Sequence, residues 1–381
     1  MKPFDVYPLF DIEPVKAHDC WLWDKEGKKY LDFYGGHAVI SIGHTHPHYV
    51  KKIEEQLEKI AFYSNSVKIR QQEELAQKLG VISGYENFAL FLCNSGAEAN
   101  ENAMKLSSFH NGRKKIIAFE KSFHGRTSLA VAATNDASIQ APVNSHDIVF
   151  LPLNDEAAFE KAMNNDVCAV IIEGIQGVAG IQMPSDDFLK LIRKKCDETA
   201  AVMILDEVQS GYGRTGKFFA HQFSGVSPDI ITIAKGMGNG FPVAGILIAP
   251  HIKPKYGLLG TTFGGAYLAC VAAIAVLDVI EMQHLVHNSK EVGEYLINKL
   301  KTMEGIKEVR GRGLMIGVEL HSNATQVRND LVFKHQIFTG SASNKNTVRL
   351  LPPLTVTKVE ADHFLKGFAL TLQSHLQSVS Q

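Results

Sequence analysis

The chain has no excess of either charge. Its 39 Lys and Arg stand against 40 Asp and Glu, a net of −1. That balance excludes a basic field for nucleic acid and a polybasic membrane patch. Cysteine is sparse: Cys20, Cys93, Cys168, Cys196 and Cys270 are scattered, odd in number, and form no C-x-x-C. This excludes a disulfide framework and a zinc site, and fits reduced thiols in a cytoplasmic protein. The longest run of apolar and small residues, 263–277, is short for a membrane span and rich in Gly and Ala, so it reads as a buried helix. The first ten residues lack a charged segment followed by an apolar one, and no secretory signal is expected. There is no low-complexity linker and no internal repeat.

What is present is apolar: 45% of 381 residues, enough for a large core in two or three domains. Short apolar runs at residues 88–93, 115–119, 148–151, 168–172, 202–205, 230–233 and 245–248 are separated, in several cases, by longer amphipathic stretches. One of these, 186–198, carries Phe188, Leu189, Leu191, Ile192 and Cys196 at helical spacing. Such alternation predicts an α/β domain with a mostly parallel, buried sheet flanked by helices. Beyond Phe263 the pattern changes. Helices are expected over 266–284, 289–303 and 358–377, and strands over 307–318 and 347–351, forming a smaller α+β domain. The expected division is a turn-rich segment, 1–45, packing with the small domain; a large domain, 46–262; and a small C-terminal domain, 263–381.

Three of the apolar runs end in an ionisable residue: 168–172 in Glu173, 202–205 in Asp206 and 230–234 in Lys235. Open parallel sheets bind ligands outside the carboxyl ends of their strands. One charge there marks only where a strand meets solvent; three in one sheet, with both signs present, point to a site. Asp206 and Lys235 suit one cofactor. Pyridoxal phosphate is held as a Schiff base on a lysine, and an acidic partner keeps its ring nitrogen protonated, so that the ring accepts electrons when a proton leaves the substrate carbon. Its phosphate needs a cradle. Asn94-Ser95-Gly96-Ala97-Glu98 follows the first apolar run and opens a helical stretch, with Ser95 and Glu98 in the S-x-x-E capping pattern. Gly96 and Ala97 are small enough for a phosphate to approach the helix N-terminus. An ordinary capped helix has the same pattern.

Together these residues resemble the class III aminotransferases, the ornithine-type subgroup II of the fold type I pyridoxal-phosphate enzymes. The likeness runs from about Trp21 into the C-terminal region. It includes Tyr30-Leu31-Asp32-Phe33, Gly43-His44-Thr45-His46-Pro47, residues 94–101 and Phe123-His124-Gly125-Arg126-Thr127. It continues through Asp206-Glu207-Val208-Gln209, Gly213-Arg214-Thr215-Gly216, Ala234-Lys235-Gly236 and Thr261-Thr262-Phe263-Gly264-Gly265. Order and spacing carry it, including the step from Asp206 to Lys235 (235 − 206 = 29). Chain length and the block around Arg126 look most like the N-acetylornithine aminotransferases.

The resemblance implies a role for each matching residue. Lys235 would carry the cofactor and move the proton between substrate and cofactor carbons, and Asp206 would pair with the pyridine nitrogen. Phe123 and Val208 would sandwich the ring, and Gln209 would bond its hydroxyl. Ser95, Gly96 and Ala97 would hold the phosphate together with Thr262 of the partner subunit, so a homodimer is expected. Arg126 would bind the distal carboxylate of the substrate and Arg349 the α-carboxylate of 2-oxoglutarate, since an arginine fork matches two carboxylate oxygens. Glu173 would stand on the substrate side. The implied reaction moves the δ-amino group of N-acetylornithine or N-succinylornithine to 2-oxoglutarate in arginine biosynthesis. The alternatives are ornithine or 4-aminobutyrate as donor, an aminomutase or decarboxylase on the same cofactor, and a non-catalytic relative. Retention of Lys235, Asp206 and both arginines speaks against the last.

Two features are set aside. His44, His46 and His48 alternate, but no carboxylate or cysteine cluster adjoins them, and no metal is expected. The glycine-rich pieces 211–216 and 236–240 lack the strand–G-x-G-x-x-G–helix context of a nucleotide site. One departure matters. The family commonly reads Glu-Pro-x-Gln-Gly-Glu where this chain reads Glu173-Gly174-Ile175-Gln176-Gly177-Val178. In the family the second glutamate pairs with the arginine matching Arg349 while an amine donor is bound. A valine cannot pair, and an unpaired buried arginine is costly. Arg349 is therefore expected either to be neutralised by another acid, such as Glu173, or to stay partly solvated.

Overall fold

The computed structural model describes residues 1–379. Its centre is a seven-stranded sheet in the order Ala89–Cys93, Ala244–Ile248, Ile230–Ile233, Val202–Asp206, Val167–Glu173, Lys115–Phe119, Ile148–Leu151. Ala244–Ile248 is antiparallel to both neighbours, and the five strands from Ile230–Ile233 onward pair in parallel. Each strand lies within a residue or so of one of the apolar runs.

These strands are covered on both faces, which is why the runs are continuous. Successive residues still choose opposite sides. Ile116, Ala118, Ala169, Ile171 and Ile204 pack on one face with Ala99, Ala103 and Met104 of helix Gly96–Asn111. Ile117, Phe119, Val170, Ile172, Met203 and Leu205 pack on the other with Phe188, Leu189, Ile192 and Cys196 of helix Asp186–Thr199. Ser185 caps that second helix, its Oγ accepting from Phe188 N at 3.0 Å, and Ala200 ends it in the left-handed conformation. Phe188 is fully buried against Phe119 and Phe159, at centroid distances of 5.5 and 5.7 Å. Its truncation to alanine would cost roughly 3–5 kcal/mol.

In the C-terminal part, helices Leu285–Leu300 and Lys358–Val379 pack together, beside an antiparallel sheet of Ile306–Arg312, Met315–Leu320 and Thr347–Leu350. The 307–318 run, expected as one strand, is a hairpin. Gly313 turns it at φ +54°, and a Cβ there would meet the Thr215 backbone at 2.5 Å. The N-terminal segment, expected only as turns, contains a meander of Pro14–His18, Trp21–Asp24 and Lys29–Asp32. The last of these strands pairs in parallel with Ile337–Phe338. Helix Tyr267–Met282 is largely buried and packs on helices Pro47–Leu57 and Arg70–Ser83. Among the described residues no single helix is long and apolar enough to cross a membrane.

Candidate active site

Parallel register sets the charged strand ends side by side. Glu173 is opposite Asp206, and Asp206 is opposite Thr232, three residues before Lys235. All three charged residues line one cavity of about 420 Å³. Ser95, Gly96, Ala97, Phe123, Arg126, Val208 and Gln209 line it too; Thr262 and Arg349 do not.

Asp206, 4% exposed, is held by three donors, which leaves one lone-pair direction on Oδ1 open. Its Oδ2 accepts from Asn100 Nδ2 and His124 Nδ1, both at 2.7 Å, and its Oδ1 from Val208 N at 3.0 Å. Asn100 Nδ2 also donates to His124 O at 2.7 Å. His124 Nε2 is buried without a partner. Neither Asn100 nor His124 was assigned a role from sequence, although both lie inside matched blocks. Held this way, the carboxylate stays in one place, as the partner of a protonated ring nitrogen must.

Lys235 opens the one-turn helix Lys235–Met237 at φ +46°. This left-handed conformation costs a non-glycine residue roughly 1–2 kcal/mol. Burial holds its ammonium below the usual lysine range, against the pull of Asp206 and Glu173. A lysine so placed offers a neutral, nucleophilic amine more readily. Glu173 is also buried, and its two oxygens accept from Phe123 N and Gly177 N, both at 3.0 Å. Burial, with Asp206 beside it, pushes its carboxyl up to about 7 in spite of those bonds. Glu173 thus ties two loops together and presents no uncommitted oxygen to a substrate.

Ser95 caps helix Gly96–Asn111, its Oγ accepting from Glu98 N at 3.2 Å. The Glu98 carboxylate does not return to Ser95 N, as a full capping box would. It accepts from Asn94 N and Nδ2, both at 2.9 Å. The first-turn N–H groups of Gly96 and Ala97 have no acceptor within the helix and stay available to an anion in the cavity. Gly96 also lets the helix approach Val208: a Cβ there would meet Val208 Cγ1 at 2.7 Å.

Arg126 is exposed at the cavity and forms no ion pair among the described residues. Arg349 is 3% exposed and lies behind Gln209. Its Nη1 is 3.5 Å from Gln209 Oε1, and its Nε donates to Ser341 O. Among the described residues Glu173 forms no ion pair with it, though the Glu173 charge favours the charged guanidinium, and the group is not left in solvent; the oxygens bonded to it are uncharged. Val178 does line the cavity, and its carbonyl is held by Ser343 N and Oγ at 2.9 and 3.1 Å. Gln209 donates through Nε2 to His37 O at 3.2 Å. Thr262 is exposed; its neighbour Thr261 is the one that reaches Asn94, at 3.3 Å. The alternating histidines go to separate partners: His44 to Asp32 and His48 to Asp278, both at 2.8 Å, and His46 to Gln283 at 3.0 Å.

The residues at the cavity fit pyridoxal phosphate. A desolvated lysine, a fixed carboxylate, an orphaned buried His124 nitrogen and a helix N-terminus with unused N–H groups meet there. The relatives of the chain agree with this. Residues 5–372 match the family model of Aminotransferase class-III. The acetylornithine aminotransferase of Archaeoglobus fulgidus is 40% identical over 351 residues, 91% of this chain and 92% of that protein. That of Bacillus subtilis is 39% identical over 366 residues, 94% of each chain. Among solved structures, an ornithine aminotransferase from Toxoplasma gondii, described with partial occupancy of PLP at its active site, superposes with a TM-score of 0.92 at 25% identity. The match covers 98% of this chain and 92% of that one. A Bacillus anthracis aminotransferase superposes at 0.89 and 26% identity, covering 95% and 93%. The matches span sheet and cavity alike: the chain belongs to the class-III aminotransferases, and its cofactor is pyridoxal phosphate.

Proposed function

We propose that this enzyme transfers the δ-amino group of an N-acylornithine, acetyl or succinyl, to 2-oxoglutarate, releasing an N-acylglutamate semialdehyde and glutamate, as a step of arginine biosynthesis. The observation that carries the reading is an Arg126 that forms no ion pair among the described residues, exposed at the same cavity as Lys235 and Asp206. The names of the relatives from Archaeoglobus fulgidus and Bacillus subtilis support it.

Pyridoxal phosphate, when bound, supplies a ring that takes up the electron pair left as a proton departs from the substrate carbon. Lys235 Nζ would hold the cofactor, and its buried, readily neutral amine would accept and return the proton of the substrate carbon. Asp206, fixed by Asn100 and His124, stabilises positive charge at the ring nitrogen. Gly96 and Ala97 N–H groups and Ser95 receive the phosphate. Phe123 and Val208, which line the cavity, would flank the ring, and Gln209 would serve its hydroxyl. Arg126 binds the carboxylate of the acylornithine, whose acyl group masks the α-amine and leaves only the δ-amine to react. Arg349 takes the α-carboxylate of 2-oxoglutarate, on the side of the site that Glu173 braces.

The reading includes a cytoplasmic homodimer. Thr262 is exposed, off the cavity of its own chain and next to Phe263, which is 63% exposed. A residue that completes the partner's phosphate site needs such a place. The five cysteines are free and buried, in keeping with a reducing compartment. It also includes the division at 1–45, 46–262 and 263–381, with the pairing of Lys29–Asp32 to Ile337–Phe338 supporting attachment of the first segment to the small domain.

The test is a panel of amine donors against 2-oxoglutarate with purified holoenzyme. The highest kcat/KM is expected for an acylornithine, with one glutamate formed per donor consumed. A higher value for ornithine or 4-aminobutyrate, or turnover without glutamate, overturns the reading. Equilibrium sedimentation checks the dimer.

A further inference from the structure

Lys235 and Asn239 bracket a short turn, and both have positive φ, +46° and +49°. An asparagine takes that conformation readily; a lysine does not. Strain of this kind persists only where the surroundings over-determine it. The turn's own bonds are three backbone contacts: Met237 N to Ala234 O at 3.0 Å, Gly238 N to Lys235 O at 3.1 Å and Phe241 N to Gly238 O at 3.0 Å. A one-turn helix that begins on Lys235 has little stiffness of its own. The rest of its support comes from far back in the chain.

Ser41, 2% exposed, commits N–H, hydroxyl and carbonyl alike to this junction. Its N–H donates to Asn239 Oδ1 at 2.8 Å, its Oγ donates to Gly236 O at 2.7 Å, and its carbonyl accepts from Leu354 N at 2.7 Å. Asn239, 7% exposed, runs along the same strip of backbone. Its Oδ1 also accepts from Ile42 N at 3.1 Å, and its Nδ2 donates to Gly43 O at 2.9 Å. Tyr49 Oη donates to Gly238 O at 2.9 Å. The turn is therefore tied by side chains to residues 41–43 and 49, and Ser41 is tied in turn to the segment that follows strand Thr347–Leu350. Ser41, Asn239 and Tyr49 stand outside the cavity that Lys235 lines.

We propose that Ser41 and Asn239 are positioning residues for Lys235, a buried clasp that keeps the lysine left-handed and so fixes where its Nζ stands. Without the clasp the turn relaxes toward negative φ, and the amine loses a geometry that was set before the encounter. Capture of the cofactor is the step most directly exposed to this. In it Lys235 Nζ forms a C=N bond to the aldehyde carbon, and the aldehyde oxygen leaves as water. The inference rests on the reading above that Lys235 holds the cofactor.

The test uses the full chain freed of cofactor. Pyridoxal phosphate is added at saturation in a stopped-flow spectrometer, and the first-order rate of capture is read from the visible absorbance. Pyridoxine phosphate, with an alcohol in place of the aldehyde, cannot react with an amine and reports non-covalent affinity by calorimetry. Asn239→Gly removes the side chain and tolerates the positive φ. It is expected to slow capture about tenfold while affinity for pyridoxine phosphate stays within about twofold of wild type. Ser41→Ala and Tyr49→Phe each remove one hydroxyl and leave the backbone alone, so they decide the matter even where Asn239→Gly does not fold. Both are expected to slow capture severalfold, again at unchanged affinity. A merely structural role would lower capture and affinity together, and that result overturns the clasp. Capture at the wild-type rate in Ser41→Ala and Tyr49→Phe overturns it as well. Lys235→Ala that still gives the wild-type absorbance change would instead overturn the assignment of the cofactor lysine itself.

Discussion

The two ends of the site are held by different physics. At the cofactor end Asp206 is enclosed by three donors, each at 3.0 Å or less, from a helix, a loop and its own chain. At the carboxylate end Arg349 is as deeply buried, yet its guanidinium bonds, among the described residues, to a backbone carbonyl and an amide oxygen. A charge whose partners are built into the protein is preorganised for a resident group. A charge that lacks a counter-ion is waiting for a ligand that brings one. On the proposed reading, the first arrangement would keep the cofactor and the second would exchange substrates.

The comparison breaks most completely at Lys235. Lys235→Ala is expected to abolish turnover, with circular dichroism and melting temperature near those of wild type; a variant that keeps a substantial share of transamination removes this lysine from the chemistry. Next comes Asp206→Ala, which should slow proton abstraction by roughly 10²–10³-fold, more than it weakens cofactor binding. Unchanged single-turnover rates would mean that the donors around Asp206 preorganise nothing. At the exposed end, Arg126→Ala should cost roughly 1.5–3 kcal/mol in kcat/KM for acylornithine, the worth of a charge-assisted pair. Near-normal specificity would move the substrate carboxylate elsewhere.

Val178→Glu sharpens the contrast, since it offers Arg349 the counter-ion it lacks. The ratio of kcat/KM for acylornithine over glutamate as donor should rise severalfold, on the order of 1 kcal/mol. An unchanged ratio means that residue 178 does not reach Arg349. The last expected effect is on stability. Folded Glu173 keeps its proton up to about 7, against an ordinary value of 4.5. The extra proton on the folded state makes its contribution full below 4.5 and lost as pH rises through 7. In cofactor-free protein the melting temperature of wild type relative to Glu173→Gln should fall by several degrees across that window, the shift being worth roughly 3 kcal/mol. A gap that is constant with pH would show that Glu173 titrates normally.

Much of the cofactor end was legible before any coordinates. Glu173, Asp206 and Lys235 each end a continuous apolar run, and a buried parallel strand that stops at a charge advertises its carboxyl end. The Gly313 that turns the 307–318 run into a hairpin was also in view; such a stretch simply reads as one strand until a glycine is known to sit at positive φ. Asn100 and His124 were harder. Each is polar, Asn100 lies on a helix, and their bonds to Asp206 span 106 and 82 positions, so nothing local distinguishes them from residues facing water. The N-terminal meander escaped because its strands are four or five residues long and carry lysines and tryptophans rather than an apolar run.

What the amino-acid sequence determined by itself is the sheet and the chemistry at its edge. Apolar periodicity is local, and a charge at the end of a run emerges from the core wherever the chain leads next. What only the tertiary structure decided is the state of Arg349. Whether a buried cation is paired depends on which oxygens the fold brings to it; here the Ser341 carbonyl accepts from Nε, and the Gln209 amide oxygen stands at 3.5 Å from Nη1. A sequence in which Val178 replaces an acid reveals that one counter-ion is missing. It cannot reveal that the Arg349 guanidinium rests on the Ser341 carbonyl and beside the Gln209 amide.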